Sequence, residues 1–77
     1  LALAFEALKQ AGNMPCVLNA ANEIAVEAFL KDKVGFLGVT DIVEQCMTKM
    51  HYTPNPTLED YVNTDKETRI KAYELIN

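Results

Sequence analysis

Asn19-Ala20-Ala21-Asn22-Glu23-Ile24-Ala25-Val26-Glu27-Ala28-Phe29-Leu30-Lys31 decides the class of this chain. Ala21, Ile24, Ala25, Val26, Ala28, Phe29 and Leu30 cover most of the circumference of a helix. Only Glu23, Glu27 and Lys31 are charged, and their four-residue spacing makes one narrow wet stripe. A helix wetted along so thin a line belongs in the middle of a bundle. The reading places it at 20–31, with Asn19 as its N-cap and its alanines admitting neighbours closely. Glu27 and Lys31 make a favourable i,i+4 pair worth a few tenths of a kcal/mol.

The flanks read as helices too. Leu1, Ala4, Phe5, Leu8 and Ala11 share one face of a helix over 1–11, which Gly12-Asn13 stops in a left-handed turn and Pro15 prevents from continuing. Residues 32–39 read as a packed connector. Thr40 then caps a helix over 41–50, whose Ile42, Val43, Cys46, Met47 and Met50 follow the helical repeat. Pro54 and Pro56 break the chain. Thr57-Leu58-Glu59-Asp60 caps a short helix over 58–63. Thr64 followed by Glu67 reads as a second capping box, opening a last helix over 65–76 with Ile70, Ala72, Tyr73 and Ile76 inward. The expected class is all-α, a small bundle with four main helices plus a short extra one.

Size and charge exclude several functions. Seventy-seven residues make one domain at most. A chain this short buries a smaller share of its surface than a larger domain, so its stability rests on well-packed helices or a partner surface. Seven Lys and Arg against eleven Asp and Glu give a net charge of −4, which argues against a nucleic-acid partner. The longest apolar run, Leu1 to Phe5, is far short of the roughly 20 residues of a membrane span. Cys16 and Cys46 are too few for a disulfide scaffold and suit a reduced, cytosol-like compartment. Residue 1 is Leu inside a helical pattern with no cap before it, so the chain reads as a piece of a longer protein.

Candidate chemistry is sparse. Asn19, Asn22 and Glu23 fall near one helix face and could hold a ligand, yet these residue types also serve as caps. Glu23 and Glu27 could form a carboxylate pair, but Lys31 continues them as a solvated stripe. His51 is the single histidine, with no visible group to orient its ring as a base. Cys46 falls on an apolar helix face and reads as an inert buried thiol. Cys46 with His51 has no recognised metal spacing. Gly35-x-x-Gly38 lacks the strand and the Lys of a phosphate loop. The residues assign no catalytic, cofactor-binding or metal-binding role.

Val17-Leu18-Asn19-Ala20-Ala21-Asn22-Glu23, continuing to Ala28-Phe29-Leu30, resembles the C-terminal part of 1-deoxy-D-xylulose 5-phosphate reductoisomerases. Ala4-Phe5-Glu6-Ala7-Leu8 and Gly12 before it agree in order, as do Val34-Gly35-Phe36-Leu37, Thr57-Leu58-Glu59-Asp60 and Asp65 after it. The resemblance covers essentially all of 1–77. It implies a C-terminal helical domain of a larger homodimeric, cytoplasmic enzyme that uses NADPH and Mg²⁺ or Mn²⁺. The cofactor-binding and catalytic domains are absent from these residues, and no family site residue maps onto them. The implied role is support of the catalytic domain, with a partly apolar surface where it docks. Two rivals stand beside this reading. One is an independent helical module that binds another protein. The other is a small enzyme using Glu23, Glu27 or His51.

Overall fold

A computed structural model of the chain describes residues 2–76. Four helices follow one another: α1 Ala2–Gln10, α2 Met14–Leu30, α3 Phe36–Lys49 and α4 Leu58–Ile76. No strand occurs among the described residues. The bundle is all-α, as its patterning requires. α2 is the central element, with α3 and α4 its main partners; α1 does not touch α4.

Helix boundaries differ from expectation in three places. α2 begins at Met14, not at 20. Pro15 stops α1, but it also suits the first turn of α2, where its missing N–H would have no helical partner. Val17 and Ala20 then carry the buried stripe through to Ile24. Asn19 is therefore an interior residue of α2, not its cap. α3 begins at Phe36 behind an extended Gly35, so Gly38 and Thr40 are helical and Thr40 caps nothing. The two helices expected after residue 57 are one, α4, because no Gly or Pro interrupts 57–76. Its capping box is Thr57 with Asp60. The Asp60 N–H donates to Thr57 Oγ1 at 3.1 Å, and the Thr57 N–H donates to Asp60 Oδ2 at 2.9 Å. Thr64 lies inside α4 and caps nothing.

The core is Ala7, Met14, Val17, Ala21, Ile24, Ala25, Ile42, Val43, Cys46 and Ala72. The inward face of α3 is the expected one. Those of α1 and α4 are only partly so: Ala72 and Ile76 face inward as expected, whereas Phe5, Leu8, Ile70 and Tyr73 do not. α1 turns Ala7 and Leu3 inward and leaves Phe5 and Leu8 about two-thirds exposed; the call on Leu1 lies outside the described residues. α4 buries Thr68 and Ala72, with Leu75 and Ile76 half-buried, while Ile70 and Tyr73 stay about half exposed. In both helices the fully buried side chains are small, Ala7 in α1 and Thr68 and Ala72 in α4.

Turns close the bundle. The end of α2 is a Schellman motif: Asp32 takes φ +59°, its N–H donates to the Phe29 carbonyl at 3.1 Å, and that of Lys33 donates to Ala28 at 2.8 Å. At the α1–α2 corner, Ala11 and Gly12 both take φ +57°, whereas Asn13 has an ordinary φ of −89°. The segment 51–53 crosses this corner. Tyr52 donates its hydroxyl to the Gln10 carbonyl at 2.7 Å, partnering an otherwise open end of α1.

Thr68 is fully buried in α4, and its Oγ1 has no hydrogen-bond partner among the described residues. A buried hydroxyl left unpaired costs about 1–3 kcal/mol. Thr68→Val keeps the shape and removes the hydroxyl. It is expected to raise stability by about 1 kcal/mol, an increase in thermal midpoint of roughly 4–8 °C for a domain of this size.

Candidate functional site

The polar residues singled out in the sequence do not converge. Asn19 donates its amide to Glu23 Oε2 at 3.1 Å, one helical turn along α2. The same Glu23 oxygen pairs with Arg69 Nη2 of α4 at 3.3 Å. Arg69 is held in turn by Asp65, Nε to Oδ2 at 2.9 Å and Nη2 to Oδ1 at 3.3 Å. The hydrogen bonds that the guanidinium donates to Asp65 favour its charged form and push its pKa up. Glu23 is thus one end of a chain linking α2 to α4. The pair is largely exposed and worth at most about 1 kcal/mol. Glu27 pairs instead with Lys31, at 3.5 Å.

His51 is exposed beside a shallow hollow of about 200 Å³ that Asp60 and Glu67 also line. Cys46 is buried in the core, far from any role as a nucleophile. Among the described residues, no three His, Cys, Asp or Glu side chains are grouped to hold a metal ion.

Burial raises the pKa of Cys46 above the ordinary 9.0, and Lys71 and Lys49 offset only part of that. Cys16, beside the Tyr61 carbonyl, is raised as well, mainly by burial and then by Asp65. Both thiols are protonated at neutral pH in folded and unfolded chains alike, so they add no pH dependence there. A folded pKa above the unfolded one means stability is lost as pH climbs through and beyond 9.0, because the unfolded thiol ionises first. Thiol labelling at neutral pH is expected to reach Cys46 only through unfolding. Urea that unfolds the chain should speed it by at least about a hundredfold.

The best-formed polar centre is one that spacing did not reveal. Asn13 is 1% exposed. Its Nδ2 donates to the His51 carbonyl at 2.8 Å and to Thr64 Oγ1 at 3.1 Å. Its Oδ1 accepts from the Thr53 N–H at 2.8 Å, and its own N–H donates to the Thr53 carbonyl at 3.0 Å. One side chain thereby joins the α1–α2 corner, the crossing segment and α4. Gly12 beside it lets that segment approach: a Cβ there would stand 2.3 Å from the Thr53 carbonyl oxygen. This is a clasp, with every polar atom of Asn13 engaged in holding the fold.

A concavity of about 470 Å³ lies between α1, the first half of α2, and α3. Leu18, Asn22, Val39 and Thr40 are among its walls, and no charged side chain lines it. Asn22 is exposed.

Comparison with known proteins bears on this arrangement. The family model described as the DXP reductoisomerase C-terminal domain matches residues 1–71. The chain belongs to that family. The reductoisomerase of Phocaeicola vulgatus is 60% identical over all 77 residues of the chain, which span 20% of that relative. That of Bacteroides fragilis is 51% identical over 76 residues, 99% of this chain and 20% of the relative. That of Thermoanaerobacter pseudethanolicus is 51% identical over 71 residues, 92% of the chain and 19% of the relative. Each is named 1-deoxy-D-xylulose 5-phosphate reductoisomerase. The chain thus spans about one fifth of the reductoisomerases it matches.

Proposed function

We propose that residues 1–77 are the C-terminal helical domain of a polypeptide that converts 1-deoxy-D-xylulose 5-phosphate to 2-C-methyl-D-erythritol 4-phosphate with NADPH, in isoprenoid biosynthesis. The domain supplies no catalytic, cofactor-binding or metal-binding residue. NADPH and Mg²⁺ or Mn²⁺ belong to the remaining domains, and its work is to hold the catalytic domain in shape from behind. The polypeptide is cytoplasmic and homodimeric, with no nucleic-acid or membrane partner. The observation that carries the reading is the family match along 1–71. The internal engagement of Asn13, Asn19, Glu23 and Glu27 supports a structural role, since side chains committed to the fold are not free for substrate. No helix among the described residues is long and apolar enough to cross a membrane.

The test is turnover. The whole polypeptide is expected to oxidise NADPH in the presence of 1-deoxy-D-xylulose 5-phosphate and Mg²⁺, and the 77-residue chain to oxidise none. Activity of the short chain by itself would refute the supporting role. An inactive, well-folded whole polypeptide would refute the reaction.

A further inference from the structure

We draw no further inference here: the strongest candidate, the exposed apolar patch of Leu30, Phe36 and Leu37 at the corner between α2 and α3, is an unpartnered face, and nothing in the structure shows what covers it.

Discussion

Asn13→Ala is expected to destabilise the bundle by about 3 kcal/mol, counting roughly 1 kcal/mol for each of the three side-chain hydrogen bonds removed. The loss is large because the partners do not gain water in exchange. The His51 carbonyl, the Thr53 N–H and the Thr64 hydroxyl all point at one enclosed amide. Asn13→Asp makes the account sharper. It keeps the acceptor for Thr53 but sets a carboxylate against a carbonyl oxygen. Its ionised form is disfavoured in the fold, so its folded pKa lies above the unfolded value of about 3.9. By linkage, stability is greatest below the unfolded value and falls as pH rises through the folded one. Urea unfolding of Asn13→Asp should therefore show partial recovery as pH drops towards about 4, while Asn13→Ala shows none. Equal pH profiles for the two variants would mean that the amide's donors do not matter.

Gly12→Ala is expected to cost a similar amount by a different route. A left-handed backbone costs a residue with a Cβ about 1–2 kcal/mol. The new Cβ also meets the Thr53 carbonyl oxygen at 2.3 Å and the Pro54 Cα at 3.1 Å. Both obstacles are backbone, so no side-chain rotation relieves them, and overpacking adds about 1–3 kcal/mol. Two further substitutions separate the causes. Ala11 has the same φ of +57°, so Ala11→Gly relieves strain and should stabilise by up to about 1 kcal/mol. Gly38→Ala lies inside α3, where the Cβ would meet the Val34 side chain at 3.2 Å. There the helix-propensity gain of about 1 kcal/mol offsets the crowding and the net effect is small. Chemical denaturation of the three variants side by side is the measurement. A mild Gly12→Ala would show that the crossing segment can shift, and that the clasp is looser than its geometry.

Local pattern carried most of the fold. The thin charged stripe of Glu23, Glu27 and Lys31 placed α2 at the centre, and the Glu27–Lys31 pair forms as spaced. The run from Ile42 to Met50 picked the buried face of α3. What local pattern could not show is competition between alternatives. Thr64 with Glu67 fits a capping box as well as Thr57 with Asp60 does. The unbroken chain between them makes one helix, so only the first box lies at an end. Phe5 and Leu8 form a good apolar stripe on α1, yet Ala7 faces the core. Periodicity finds an apolar face but cannot tell which body covers it, and α1 carries apolar side chains on more than one face. Asn13 was hidden for another reason. Its partners lie 38 to 51 positions away, and nothing near it in sequence marks it beyond a turn-forming neighbour.

In the proposed role, this domain shapes the enzyme without taking part in its chemistry. The most direct test is kcat of the full-length reductoisomerase carrying Glu23→Gln, Glu27→Gln and His51→Asn together. All three positions are exposed, and the ion pairs lost are weak. The account predicts kcat within about twofold of the unmodified enzyme, because removing a general acid or base costs about 10²–10⁴-fold. A fall of a hundredfold or more in a folded triple variant would place a catalytic group in this domain and contradict it.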